Sequence, residues 1–172
     1  VSSTSRGSSP SQRSVPVAGQ QELVEPSAQS EKVPTWAYAL PVGNGIKASF
    51  STGERVKEIP VSDWSTHDGV DIQADKGAEV IACADGTVSD VRNDPLWGTI
   101  VTIDHADGNQ SVYCGLDKVV AVKTGDAVMV KQAIGKVDGV PCEISQPNHL
   151  HFGIKREDKW VDPLSVIQGG NG

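Results

Sequence analysis

The sequence predicts an all-β domain, folded as an antiparallel β-sandwich or small barrel. Short runs of alternating apolar and polar residues recur along it, as in "AEVIACADGTVSDVR" and "TIVTIDHADGNQSVYCGL". Alternation with period two is typical of strands that bury one face. The 18 Gly and 10 Pro of the 172 residues supply frequent turns, and no stretch has convincing helical periodicity. Many short strands between turns favour a sandwich or barrel.

The turns between the predicted strands are marked by Asp and Gly. The pairs at 85–86, 107–108 and 125–126 each lie between apolar runs, and such pairs are typical of tight β-turns. Further runs, "VVAVKTGDAVMVKQAIGKV" and "HLHFGIKREDKWVDPL", continue the pattern toward the C-terminus. The strand pattern therefore extends over the whole second half of the chain.

The chain divides into a tail and a domain. Residues 1–34 are rich in Ser, Gln and Pro and contain no aromatic residue, which predicts a flexible linker or stalk. Aromatic residues begin at Trp36, so we assign the domain to residues 35–167 and a flexible tail to 168–172. The chain starts at Val1, and no apolar run approaches the roughly 20 residues that span a bilayer. We therefore expect membrane attachment only through a missing N-terminal anchor.

Charge and cysteine usage exclude some classes of function. The formal net charge is -7 and the sequence has no Lys/Arg block, so binding along a nucleic-acid backbone is not expected. The three cysteines, Cys83, Cys114 and Cys142, lack the spacing of a metal site. We expect them to be small buried residues.

Two histidine-containing segments predict a metal site. In "QPNHLHFGIK", His149 and His151 are two apart, so on a strand both imidazoles point to one face. In "WSTHDGVDIQ", His67 and Asp71 are four apart and also share a face, with Gly69 between them allowing close approach. Together with one histidine of the pair they form a His, His, Asp set. Three such ligands leave a fourth position open, as in catalytic zinc sites.

Two further interpretations concern His105 and the four tryptophans. His105, in "IDHADG", precedes a hairpin turn and is interpreted as a hydrogen-bonded structural residue. The four tryptophans could stack on sugars in a carbohydrate-binding sandwich without metal, and Trp97, in the "PLWG" turn, is the one expected to be exposed. The tryptophans are Trp36, Trp64, Trp97 and Trp160.

"WSTHDGVDI" and "PNHLHFGI", in this order, resemble the paired signatures of the lysostaphin/LytM family of zinc endopeptidases, which cut peptidoglycan peptides. "ADGTVSDV", "GTIVTIDHADG" and "WVDPLSVI" follow the order of that family. The resemblance implies a LytM-type sandwich or barrel with a groove over a zinc ion. It also implies ligation by His67, Asp71 and His151, with His149 beside the metal as an acid/base residue.

One position departs from the family. Active relatives carry Tyr-x-His on the strand that corresponds to "SVYCGLDK", and Gly115 stands at the position of that histidine. Loss of one acid/base group typically costs about two to four orders of magnitude in rate. Tyr113 shares the face of Gly115 by strand alternation, so its phenol is a candidate catalytic group. Cys114 is expected to point to the other face.

The run "RNDPLWGTIVTIDHADGNQSVYCGL" resembles the stage II sporulation protein Q subfamily of endospore-forming bacteria. That resemblance implies an extracytoplasmic domain, anchored to the forespore membrane, which pairs with a membrane-anchored sporulation partner protein in an intercompartment channel. Two functions therefore stay open. The domain is either a zinc endopeptidase acting on peptidoglycan peptides, weakened by Gly115, or a partner-binding domain without catalysis. Residues 36–50 are candidates for a segment that blocks the groove.

Overall fold

A computed structural model of the protein describes residues 37–43, 45–51 and 67–169. The predicted linker, Trp36 and Trp64 lie outside the described residues. The described part has ten strands and one short helix, α1 (Pro163–Gly169), with a 3-10 turn at Pro141–Glu143. The strands are β1 (Gly45–Ala48), β2 (Val70–Gln73), β3 (Glu79–Ile81), β4 (Gly86–Asp94), β5 (Gly98–Asp104), β6 (Asn109–Leu116), β7 (Ala127–Val128), β8 (Ala133–Lys136), β9 (His149–Arg156) and β10 (Lys159–Val161).

The strands form two antiparallel sheets that share one core. The larger sheet has the order β1-β2-β9-β6-β5-β4-β7, with β10 added beside β9, and β3 pairs with β8 in the smaller one. Apolar side chains of both sheets belong to a single buried cluster, which includes Val80, Ile134, Leu150 and Phe152. The predicted all-β class is confirmed, because alternating apolar residues on each strand cover this core.

Strand β6 contains a bulge that decides which side chains face the core. Its pairing with β5 runs from Val101 opposite Tyr113 to Thr99 opposite Leu116, so β6 has one residue more than its partner over this interval. Gly115 lies within the bulge at φ +87°, a conformation that favours glycine. Tyr113 and Leu116 consequently both point into the core.

Helix α1 ends the described domain. Pro163 is its first residue, a position where proline needs no hydrogen-bond acceptor, and Asp162 accepts from the Leu164 backbone N and the Ser165 hydroxyl. The helix runs to residue 169 and so includes two residues assigned from the sequence to the tail. None of the helices in the described ranges has the length and apolar character needed to cross a membrane.

Candidate metal centre

Strands β2 and β9 bring the predicted ligands together. Asp71 on β2 is directly opposite His151 on β9, so their side chains share one face of the sheet. His67 lies three residues before β2, and His149 begins β9. All four predicted polar residues therefore meet where these two strands adjoin, on the face away from the core that contains Leu150 and Phe152.

Three side-chain atoms converge at this point. Asp71 Oδ1 lies 3.1 Å from His67 Nε2 and 2.9 Å from His151 Nδ1. Ligand atoms bound tetrahedrally at the usual zinc distances are about 3.3 Å apart, so a small expansion would admit the ion. The His67 Nδ1 lies 3.1 Å from the Ser49 backbone oxygen and donates to it, which directs Nε2 toward the centre. The donor set therefore fits zinc.

Charge favours an ionised carboxylate at the centre. Asp71 is 3% exposed, and burial alone would raise its pKa, but hydrogen bonds and charge from His151 and His67 outweigh burial and hold the pKa well below its usual range. Burial likewise lowers the pKa of His67, yet Asp71 outweighs it and the pKa is raised. Asp71 is thus ready to bind a cation at neutral pH.

His149 lies beside the three converging atoms. Its ring is 1% exposed, and Nδ1 donates to the Pro147 backbone oxygen at 2.9 Å. Its Nε2 lies 3.9 Å from Asp71 Oδ1 and 2.8 Å from Glu143 Oε2. Burial lowers the pKa of His149, but the Glu143 carboxylate, the Pro147 carbonyl and the Asp71 charge together raise it.

Glu143 was not identified from the sequence. It lies in the 3-10 turn of the loop between β8 and β9, within "PCEISQP", and belongs to no motif of metal ligands or acid/base groups. A second acidic and histidine cluster, Asp71, Glu143 and His149, nevertheless has its donor atoms within 4.8 Å of one another. Only the folded path of the loop reveals this proximity.

Apolar side chains border the centre on the β6 side. The Trp97 ring lies 4.8 Å from the His151 ring between ring centroids, so this tryptophan of the predicted "PLWG" turn is partly buried against a candidate ligand. Ile100, Val112 and Cys114 form a small buried cluster with it. Such surroundings lower the local dielectric and strengthen charge interactions in the site.

Two sequence predictions about β6 were wrong. Tyr113 is fully buried in the core, where its hydroxyl accepts from the Cys83 backbone N at 2.9 Å and from the Ser111 hydroxyl at 3.1 Å. Cys114, in contrast, is opposite His151 in register and lies on the face of the site. The bulge breaks the alternation that links Tyr113 to position 115, so the phenol cannot serve the metal centre.

His105 has the structural role predicted for it. Its ring is buried, with Nδ1 2.7 Å from the Asp85 backbone oxygen and Nε2 2.8 Å from the Ser111 hydroxyl. These contacts tie the start of β4 to the β5–β6 hairpin. The residue takes no part in the metal centre.

The segment predicted as a possible block of the groove is described at residues 37–43 and 45–50. Its strand β1 pairs with β2 along the sheet edge, and Ser49 holds His67 as described above. Lys47 Nζ also reaches Gln146 Oε1 at 2.5 Å, on the loop that carries Glu143. This part of the chain therefore forms one wall of the site and supports a ligand.

The family model of Peptidase family M23 matches residues 65–163, an interval that contains every residue of the candidate centre except the supporting wall of β1. The chain belongs to peptidase family M23. This M23 chain is 35% identical over 106 residues to stage II sporulation protein Q of Bacillus subtilis (strain 168), covering 60% of the chain and 37% of that relative. It thus spans little more than a third of the relative's length.

Solved structures with similar folds include a peptidase and a protein complex. One, described as the structure of the SpoIIQ-SpoIIIAH pore forming complex, superposes with a TM-score of 0.67 at 29% identity, covering 76% of this chain and 90% of that one. A zinc containing peptidase from Vibrio cholerae superposes with a TM-score of 0.65 at 29% identity, covering 73% of this chain and 39% of that one. The M23 chain is thus similar both to a peptidase and to a member of a protein complex.

Proposed function

We propose that this M23 domain is a zinc-dependent endopeptidase directed at the peptides of bacterial peptidoglycan. The observation that supports it most is the convergence of His67 Nε2, Asp71 Oδ1 and His151 Nδ1 beside the buried His149. Two neutral imidazoles and a carboxylate are the ligand types of zinc peptidases. No ligand type is missing from the set that the family resemblance implies.

The proposed roles follow from position. His67, Asp71 and His151 would hold the metal, which when bound polarises a scissile carbonyl and activates water at neutral pH. His149 Nε2 would accept or donate the proton at the reacting bond, since it lies 3.9 Å from the Asp71 carboxylate. Gly115 offers no second acid/base side chain, so turnover should be about two to four orders of magnitude slower than with one.

Metal content and peptide release together test the proposal. The purified protein, His67→Ala, His151→Ala and His149→Ala are compared by elemental analysis and by release of peptides from isolated peptidoglycan. We expect near-stoichiometric zinc in the wild type and in His149→Ala, and its loss in the two ligand variants. Release should disappear in the two ligand variants and fall to a slow but measurable rate in His149→Ala, which keeps the metal. Wild-type protein without zinc, or release that survives in His67→Ala, would contradict the proposal.

A second candidate function is partner binding without hydrolysis, favoured by the replacement of the expected histidine by Gly115 and by the similarity to the SpoIIQ-SpoIIIAH complex. The domain would then lie outside the cytoplasm, attached to the forespore membrane, and pair with a membrane-anchored partner of the SpoIIIAH type. Strands β1 and β7 end the larger sheet within the described residues, and such edges can accept a partner strand.

Binding of a purified SpoIIIAH-type domain, measured for the wild type and for His67→Ala, separates the two candidates. Equal affinity of both proteins, with no peptide release by either, would favour the binding module. Absence of any measurable binding would exclude it. A protein that both binds the partner and releases peptides is a third defined result.

A further inference from the structure

We propose that Glu143 is a positioning residue for His149, and that its loop reaches the site because position 115 carries no side chain. This inference rests on the proposed function of His149 as the acid/base group. Glu143 lies in the 3-10 turn between β8 and β9 and contacts His149 of the site. It would supply a polar contact at a site that lacks the expected second histidine.

Each nitrogen of the His149 ring lies close to a polar neighbour. Nδ1 donates to the Pro147 oxygen at 2.9 Å, and Nε2 lies 2.8 Å from Glu143 Oε2. Among the described residues, these Nε2 and Oε2 atoms are the two buried side-chain atoms without a well-aligned hydrogen bond. A buried nitrogen and carboxyl oxygen at this distance form a charge-assisted hydrogen bond after a small rotation, once a proton lies between them. With that bond formed, Glu143 would hold the ring in the orientation in which Nε2 lies 3.9 Å from Asp71 Oδ1.

Glycines at two positions seat the loop that carries Glu143. The Gly115 carbonyl accepts from the backbone N atoms of Asp138 at 2.8 Å and Gly139 at 2.9 Å, and Cys142 N donates to the Leu96 oxygen at 2.9 Å. A Cβ at Gly115 would lie 3.0 Å from Val140 Cγ2.

A Cβ at Gly98 would likewise lie 3.4 Å from the Gly139 oxygen and 3.5 Å from Pro141 Cδ. The loop thus rests on backbone that carries no side chains. A histidine at 115 would compete with the loop for this space, so the missing histidine and the presence of Glu143 beside His149 are parts of one local arrangement.

The experiment compares Glu143→Ala with wild type on the full, zinc-loaded chain. Glu79→Ala is the matched control, because Glu79 is an exposed glutamate on β3 of the smaller sheet. We measure kcat and KM for release of peptidoglycan peptides, and the side-chain 15N signals of His149, assigned by their loss in His149→Ala. We expect Glu143→Ala to lower kcat about 10- to 100-fold, the usual effect of losing a supporting contact. KM and zinc content should not change, and the His149 signals should shift.

Glu143→Ala combined with His149→Ala should be no slower than His149→Ala alone, because the two residues act as a unit. The proposal is overturned if the His149 signals in Glu143→Ala match those of wild type and of Glu79→Ala. It is also overturned if Glu143→Ala slows the His149→Ala protein by the same factor as wild type. If wild-type protein hydrolyses nothing, the proposed function fails, whereas the His149 signals still decide whether Glu143 holds the ring.

Discussion

Asp71 and His151 are 80 residues apart in sequence and are joined by a 2.9 Å contact from the carboxylate to the ring Nδ1. Each residue belongs to one of two adjacent antiparallel strands, and the register places them directly opposite each other. The same Asp71 oxygen also contacts His67. One carboxylate atom is therefore the centre around which both candidate imidazole ligands are arranged.

Gly69 should be intolerant of any side chain. A Cβ there would lie 2.5 Å from the Phe152 oxygen and 2.9 Å from His151 Nε2, so Gly69→Ala must displace either β9 or a candidate ligand. We expect a loss of about 1–3 kcal/mol in the free energy of unfolding and weaker zinc binding. Denaturant unfolding and zinc titration measure the two effects. Gly45→Ala is the control, because its Cβ meets nothing within 4 Å, and equal behaviour of both variants would contradict the prediction.

Restoring a histidine at position 115 should not restore fast hydrolysis. Gly115 has φ +87°, and its Cβ would press on Val140 at 3.0 Å. Gly115→His should therefore cost about 1–2 kcal/mol from the backbone alone, with a further loss from displacing the loop.

Gly108→His isolates the backbone part of this loss, because Gly108 has φ +83° and open space around its Cβ. Thermal unfolding and peptide-release rates compare the two variants. The prediction would be contradicted by a Gly115→His protein that is as stable as Gly108→His and hydrolyses peptides faster than wild type. The loop would then have moved aside at little cost in stability.

Zinc should stabilise the protein more at pH 8 than at pH 5.5. Without metal, the raised pKa values of His67 and His149 add stability that is complete below the ordinary value of 6.5 and is lost as pH rises through the raised values. The lowered pKa of Asp71 adds stability above 3.8, which is lost on acidification. The metal-free protein should thus be most stable between pH 3.8 and pH 6.5. Zinc binding, in contrast, requires neutral imidazoles and so increases with pH.

Melting temperatures in chelator and in excess zinc, at both pH values, measure this effect. The rise in melting temperature caused by zinc should be larger at pH 8 than at pH 5.5 in wild type. In His151→Ala it should be absent at both pH values. A rise of equal size at both pH values would contradict the assignment of histidine ligands.

The native protein should react with one equivalent of a thiol reagent. Of the three cysteines, Cys83 and Cys114 are buried and Cys142 is exposed, and burial raises the pKa of Cys114 to about 12. At pH 8 only about one Cys114 thiol in ten thousand is then ionised, and the thiolate is the reactive form. Mass spectrometry after iodoacetamide treatment should show one adduct, none in Cys142→Ala, and three after unfolding. A second adduct on folded protein, mapped to Cys114, would show that the face of the site opens.

Much of the fold follows from local patterns in the sequence. Alternating apolar residues identify strands such as β5 and β9, and the Asp107-Gly108 pair lies at the β5–β6 hairpin turn as predicted. The spacing of His67, Asp71 and the His149–His151 pair was sufficient to propose a metal centre. Each of these signals operates within a few residues, where side-chain periodicity and turn geometry decide the conformation.

The remainder depends on contacts between distant segments. Tyr113 was placed on the wrong face because the bulge at Gly115 interrupts a period that the sequence alone presents as continuous. Glu143 gave no signal, since its importance comes from a loop folded back onto Gly98 and Gly115. Likewise, only the pairing of β1 with β2 shows that a backbone oxygen at Ser49 orients His67.

The position of the ligands along the chain bears on biosynthesis. Because Asp71 meets His151 only when β9 has inserted between β2 and β6, a nascent chain lacks a complete set of ligands until β9 has been translated. Pairing between segments so far apart is slow to form compared with a hairpin such as β5–β6. Any hydrolytic capacity would therefore arise only after nearly the whole domain has been translated, which separates synthesis of the polypeptide from the appearance of its activity.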